Sequence, residues 1–321
     1  MIKYKVVVTD DRYDDYEIEK EVLKEIGAEL FVKDCRTAGE VLDACRDADG
    51  VLANLAPMPA EVIAGLEKCR IISRYGVGYD NVDAAACTKK GIQLSNVTDY
   101  CMEEVSDQAL ALIMACARKV ARRDAQVREG RWNVLKEDPI YRIAGRKFSF
   151  LGFGSIARCL LRKIKGLNFS EILVYDPYVD EKTISEAGCV KADMETALRE
   201  GDYISIHMPL NENTRGIIDE KAFEMMKPGA ILINTSRGPV VDEKALVDAL
   251  KTKKINSAGL DVHTKEPLDK DHPLMKLENC VLTDHAGWYS EESIMELKRK
   301  AAENVRDALL GRPPKYAVNK I

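Results

Sequence analysis

No apolar run in this 321-residue chain approaches the roughly 20 residues that span a bilayer, which argues against a membrane role. Basic runs and basic-aromatic patches are missing too, and the formal charge is −5, so nucleic acid is not an expected partner. There is no Cys-x-x-Cys. The nine cysteines are odd in number and scattered, so they read as buried thiols in a reducing compartment, and no metal site is expected. The start, Met1 to Asp10, enters a strand directly and lacks a signal-peptide apolar core, so a cytoplasmic location is expected. No segment has a disordered composition: 46% of residues are hydrophobic and 31% charged, with length enough for two domains.

The most informative stretch runs from Arg146 to Pro177. A short apolar segment, Phe148 to Leu151, stops at Gly152 and Gly154. An amphipathic segment, Ile156 to Leu167, follows, and a second apolar run, Ile172 to Tyr175, delivers Asp176. This predicts strand, tight turn, helix and strand, the pattern that binds a dinucleotide. Gly152 permits the turn and Gly154 lets backbone approach a pyrophosphate. Ala157 leaves room for the helix to pack, and the helix start at Ser155 and Ile156 offers N–H groups to phosphate. Asp176, 22 residues after Gly154, would accept hydrogen bonds from a ribose and repel a 2′-phosphate. The expected cofactor is therefore NAD.

The rest of the chain alternates apolar runs with helical patterns, which predicts parallel sheets covered on both faces. Strands are expected near residues 6–8, 30–32, 51–52, 71–73 and 92–94, then 190, 203–208, 230–234, 257–261 and 281–283. One long helix is expected from Cys101 to Arg123. The charged segment Arg122 to Arg142, with Trp132, reads as an arm over a neighbouring surface or as a solvated helix end. The last helix, Glu291 to Leu310, should return to the first domain, because the second sheet is complete by Thr283. The expected fold is thus α/β with two doubly wound parallel-sheet domains: a discontinuous flavodoxin-like substrate domain, 1–99 plus 289–321, and an inserted Rossmann NAD-binding domain, 100–288.

Hydride transfer to or from NAD needs an acid–base group and a substrate anchor. Three residues follow consecutive strand exits of the second sheet, where such folds place ligands: Arg237, Glu266 and His285. Histidine is the natural acid–base residue near neutral pH, and a neighbouring carboxylate raises its pKa. Arginine grips a carboxylate bidentately. Of the other histidines, His207 ends a strand before Pro209 and is placed at the cofactor. His263 shapes the Glu266 loop, and His272 lies in an exposed charged stretch. In the first domain, Tyr75, Gly76, Val77 and Gly78 leave a strand toward a helix, and their backbone N–H groups can cradle an anion. A plain glycine-rich turn is the alternative.

Five motifs taken together resemble the D-isomer-specific 2-hydroxyacid dehydrogenases: Gly76–Asp83, Gly152–Ala157, Asn234–Gly238, Gly259–Pro267 and His285–Trp288. The runs Asn96 to Leu112 and Trp288 to Glu291 resemble the branch that includes the C-terminal binding proteins. The resemblance implies that Arg237 binds the substrate carboxylate and C2 oxygen, that His285 protonates the alkoxide, and that Glu266 keeps His285 protonated and oriented. It implies that Gly76–Gly78 bind the carboxylate. Trp288, Tyr75 and Tyr100 would crowd the pocket and favour a small or medium substrate. The implied cofactor lining adds His207, Met208, Pro209 and Thr214, then Thr235, Ser236 and Gly287, with Asp261 at the nicotinamide carboxamide. Family members are typically homodimers through the cofactor domain. Ala157, where a third glycine is commoner, and Thr98, where a proline is common, depart from the pattern without touching the Arg, Glu and His set.

The leading reading is an NAD-dependent 2-hydroxyacid dehydrogenase, or 2-oxoacid reductase, acting on a small molecule. The alternative is an NAD(H)-sensing, corepressor-like binding protein, and formate- or phosphite-type oxidation is a third. Neither the substrate nor the direction is fixed by these residues.

Overall fold

The computed structural model describes residues 3–132 and 139–321, in two compact units: Met1–Cys101 with Ser290–Ile321, and Met102–Tyr289. These boundaries lie one or two residues beyond the expected 99/100 and 288/289.

In the first unit, strands β1 (Tyr4–Val8), β2 (Ala28–Val32), β3 (Gly50–Ala53), β4 (Ile71–Arg74) and β5 (Gln93–Ser95) alternate with α1 (Glu17–Lys24), α2 (Ala38–Cys45), α3 (Ala60–Gly65) and α4 (Ala84–Lys90). All are paired in parallel, in the order β2-β1-β3-β4-β5. That is the flavodoxin-like order. Val7, Val51, Ile72 and Leu94 pack against Val41, Cys45, Val62, Ile63 and Cys87 in one core. Local sequence sets the helix ends. Thr37 and Glu40 close a capping box on α2, and Asp83 caps α4, which stops at Gly91 in the left-handed conformation.

The second unit begins with α5 (Met102–Arg118) and α6 (Val120–Arg128), where a single helix was expected. Lys119 adopts φ 57° and breaks the ladder between them. The turn carries Arg122 to a salt bridge with Glu278 (3.0 Å), a tertiary contact with no glycine or proline to announce it. Of the expected 122–142 arm, residues 133–138 lie outside the described residues.

There follow β6 (Lys147–Leu151), α7 (Ser155–Ile164), β7 (Glu171–Tyr175), α8 (Glu181–Glu186), β8 (Val190–Lys191), α9 (Met194–Glu200) and β9 (Tyr203–Ile206). The unit continues with α10 (Glu220–Met225), β10 (Ile231–Asn234), α11 (Glu243–Lys251), β11 (Ser257–Leu260) and β12 (Cys280–Leu282). Helix α8 escaped the sequence pattern because it buries only Ile184, and Asp180 starts it by capping Thr183. The seven strands are all parallel, in the order β12-β11-β10-β9-β6-β7-β8. The order reverses between β6 and β9, which opens a crevice beyond their carboxyl ends. Helices α5 and α7 cover one face through Leu112, Ile113, Leu160 and Ile164, and α9, α10 and α11 cover the other through Leu198, Phe223, Leu246 and Leu250.

The last helix, α12 (Glu291–Leu309), belongs to the first unit and packs on α1, β3 and β4. Buried Asn304 fixes it there: its amide donates to the carbonyl of Asn96 (3.0 Å) and to Ser73 Oγ (3.4 Å). All nine cysteines are free thiols, eight of them buried. Among the described residues no helix is long and apolar enough to cross a membrane, and no His/Cys/Asp/Glu group forms a metal cluster.

Candidate active site

The crevice at the strand-order reversal is built first by backbone. Gly152 adopts φ 95°, and a Cβ there would stand 2.8 Å from the carbonyl of His207, so only glycine lets the β6 and β9 exits close on each other. Around Gly154 a Cβ would meet nothing within 4 Å, which leaves open space before the α7 N-terminus. The first backbone bond of that helix is Arg158 N–H to Gly154 O (3.1 Å), so the N–H groups of Ser155 and Ile156 face outward. Asp176 binds the glycine loop in place: one oxygen accepts from Phe153 N–H (2.8 Å), the other from Tyr178 N–H (2.8 Å) and Val179 N–H (3.1 Å). Its carboxylate is half-buried and fixed at the end of β7, the position from which an acid reaches a ribose.

The β9 exit carries His207, Met208 and Pro209. His207 Nε2 lies 2.8 Å from Ser205 Oγ, and its ring packs 5.6 Å from that of Phe150. Burial pulls this imidazole down to about 4. Thr214 folds the following loop by donating to Pro209 O (2.6 Å) and accepting from Asn211 N–H (2.9 Å).

At the β10 exit, buried Asn234 accepts from Ser236 N–H (3.0 Å) and Ser236 Oγ (2.9 Å) and donates to Arg237 O (3.0 Å). The Arg237 guanidinium, half-buried, donates to Ser236 O (2.7 Å). Next along, Gly238 lies so close to the His263 carbonyl that a Cβ would run into it, which packs the β10 exit against the β11 exit. Thr235 Oγ1 is buried with no partner among the described residues.

The β11 and β12 exits meet in one hydrogen-bonded cluster. His285 Nδ1 lies 2.7 Å from Glu266 Oε2, and Glu266 Oε1 accepts from His263 N–H (2.9 Å). Burial pushes the Glu266 carboxyl up, but the hydrogen bonds from His285 and from the His263 backbone N–H, with the electrostatic pull of the neighbouring imidazoles, outweigh it and hold Glu266 below its ordinary value. An ionised carboxylate only accepts, so Nδ1 carries the hydrogen and Nε2 is left to exchange a proton. His285 has φ 58°, a costly conformation for a non-glycine residue. Asp261, 2% exposed, holds the turn around it: Oδ1 accepts from Thr283 Oγ1 (2.7 Å), Ala286 N–H (3.1 Å) and Gln108 Nε2 (3.2 Å), and Oδ2 accepts from Gly287 N–H (3.0 Å). A Cβ on Gly287 would stand 2.7 Å from that second oxygen. Trp288 follows, half-buried, with its ring 5.8 Å from Tyr289.

In the first unit, Gly76 O accepts from Val97 N–H (3.0 Å) and Val77 O from Asn96 Nδ2 (2.7 Å). With both carbonyls turned inward, the Val77 and Gly78 N–H groups have no acceptor among the described residues. Tyr75 is buried, its hydroxyl bonded to Glu19 Oε1 (2.9 Å).

Sequence reasoning missed Gln108 and Thr283, which complete the Asp261 cluster, and Arg74, whose guanidinium fills the space beside Gly76. Only Arg74 left a signal, as the charge directly preceding the glycine motif. His272, expected to be exposed, is half-buried: its Nε2 lies 3.0 Å from Glu243 Oε1 and its Nδ1 accepts from Leu274 N–H, so it caps a short turn.

A doubly wound sheet with a glycine turn, open helix N-terminus, acid at the second strand and a buried unpartnered Thr235 hydroxyl defines a dinucleotide-binding protein, and these residues fit NAD. Residues 110–287 match the family described as D-isomer specific 2-hydroxyacid dehydrogenase, NAD binding domain. The chain is 40% identical to a glyoxylate reductase of Korarchaeum cryptofilum, over 87% of this chain and 85% of that one. It is 33% identical to a hydroxypyruvate reductase of Blautia hydrogenotrophica, over 85% and 86%. A holo D-mandelate dehydrogenase of Rhodotorula graminis superposes with TM-score 0.88 at 27% identity, covering 100% of this chain and 99% of that one. The chain belongs to the D-isomer specific 2-hydroxyacid dehydrogenase family. It is an NAD-dependent oxidoreductase of 2-hydroxy and 2-oxo acids.

The depressed His207 value has a consequence for stability. Between about 6.5 and about 4 the unfolded chain takes up a proton at this ring and the folded chain does not, so stability falls as pH drops through that window. In His207→Gln the slope of urea midpoint against pH should be shallower there. An unchanged slope would assign the acid sensitivity elsewhere.

Proposed function

We propose that Arg237, Glu266 and His285 are the catalytic set of a reductase of small 2-oxo acids, and that glyoxylate or hydroxypyruvate is the substrate. The observation that carries the roles is the 2.7 Å bond from His285 Nδ1 to a Glu266 whose other oxygen is already locked. Bound NADH supplies the hydride. The Arg237 guanidinium grips the substrate carboxylate and C2 oxygen through its planar fork. His285 Nε2 delivers a proton to that oxygen, and Glu266 favours the imidazolium that must be present beforehand. Within the first unit, the Val77 and Gly78 N–H groups form an anion cradle suited to a carboxylate, with Tyr75 held beside them by Glu19. Trp288 limits substrate size. On the cofactor side, Gly152, Gly154, Ser155 and Ile156 hold the pyrophosphate and Asp176 the adenosine ribose. His207 to Pro209, Thr214, Thr235, Ser236, Asp261 and Gly287 line the rest. The substrate class draws its support from two of the relatives, a glyoxylate reductase and a hydroxypyruvate reductase.

The first unit is proposed as the substrate domain, and the free thiols support a cytoplasmic location. We further propose a homodimer through the second unit. Val120, Val127 and Trp132 are 55%, 50% and 88% exposed on one segment, apolar surface that suits a second copy. Light scattering on the purified protein should give twice the chain mass; a monomer at micromolar concentration would refute it.

Arg237→Ala should lose the charged hydrogen bond to substrate, worth about 1.5–3 kcal/mol, so kcat/KM should fall roughly 10- to 150-fold. Near-normal turnover would sink the assignment. In Glu266→Gln the His285 Nδ1–H loses its ionised acceptor, so kcat/KM should fall at least about tenfold; parental turnover would remove Glu266 from the role.

A further inference from the structure

His263 shares the β11 exit with Glu266, yet the reaction as described gives its side chain nothing to do. It is 8% exposed. Its Nε2 lies 2.9 Å from Thr283 O, and a carbonyl oxygen can only accept, so Nε2 carries the hydrogen. No donor among the described residues reaches its buried Nδ1. The ring therefore spends its one N–H on the peptide two residues before His285, while its backbone N–H is spent on Glu266.

These two bonds bear on the same pair from opposite sides. Thr283 N–H donates to Leu260 O (2.9 Å), which continues the sheet to the last residue before the turn. Beyond it the chain must enter the left-handed conformation at His285, which a non-glycine residue holds only where its surroundings over-determine it. Asp261 fixes the far side through Ala286 and Gly287. On the near side Asp261 holds only the Thr283 side chain; the outward peptide group is held by His263.

We propose that His263 is a positioning residue that aligns both members of the acid–base pair, His285 through the Thr283 carbonyl and Glu266 through its own backbone. This rests on the assignment of His285 as the proton donor. An apolar ring of the same size would fill the space and leave Thr283 O without its donor. A glutamine would return an N–H to nearly the position of Nε2.

The test compares His263→Phe and His263→Gln with the parent enzyme. In the protein without substrate, proton NMR should show a low-field signal from the His285 Nδ1–H bonded to Glu266, which His285→Gln removes. The Phe variant should weaken or shift that signal, and the Gln variant should restore it. Displacing a catalytic group by about an ångström costs up to ~10²-fold, so kcat in the Phe variant should fall at least about tenfold with KM for NADH unchanged, and Gln should recover most of it. Equal losses in both variants would reduce His263 to packing and overturn the proposal. So would a Phe variant with parental kcat and an unshifted signal. If His285→Gln kept full activity while the signal still depended on His263, the functional assignment would fail and the alignment would stand.

Discussion

A buried carboxylate is tolerated only when it is fully engaged, and Asp261 turns that requirement into architecture. Its four donors come from α5, from Thr283 and from the two peptides after His285, so the charge binds a helix, a strand end and a turn into one object. The His285 conformation is unfavourable in isolation, and these bonds determine it. Replacing the carboxylate by anything that cannot accept in this pattern would release the turn and leave several N–H groups unpaired.

The parallel sheet supplies the setting. Because β12, β11 and β10 are neighbours in one sheet, their exits lie side by side, and each delivers one side chain from a short loop. The strand-order reversal between β6 and β9 lies on the same edge of the sheet, so the cofactor crevice and the reactive loops share one rim. Substrate chemistry is thus a property of loops, while rigidity is a property of the sheet beneath them.

Much of this was legible in the sequence, for physical reasons. The strands buried on both faces, such as β3, β9 and β10, announce themselves as nearly continuous apolar runs, whereas β8, exposed at both residues, shows only as Val190. The glycine turn was legible because spacing and flanking elements constrain it jointly. Arg237, Glu266 and His285 stood out as ionisable residues directly after such strands, and the family resemblance supplied their roles. What was hidden depends on contacts distant in sequence. The break at Lys119 has no local signal, since Arg122 finds Glu278 only in the folded chain. Helix α8 is too polar to show periodicity. The task of Asp261 is set by Gln108, far upstream, and by backbone groups that any residue carries. The donor direction of His263 could not be read before Thr283 O was placed beside it.

Turnover itself is the most direct test of these three residues. Steady-state oxidation of NADH by the purified protein, with glyoxylate and hydroxypyruvate as acceptors and NADPH in parallel, should show reduction of at least one acceptor and a clear preference for NADH. NADH that binds but is oxidised by neither acid, nor by larger 2-oxo acids, would contradict the central claim that these three strand exits form a working reductase.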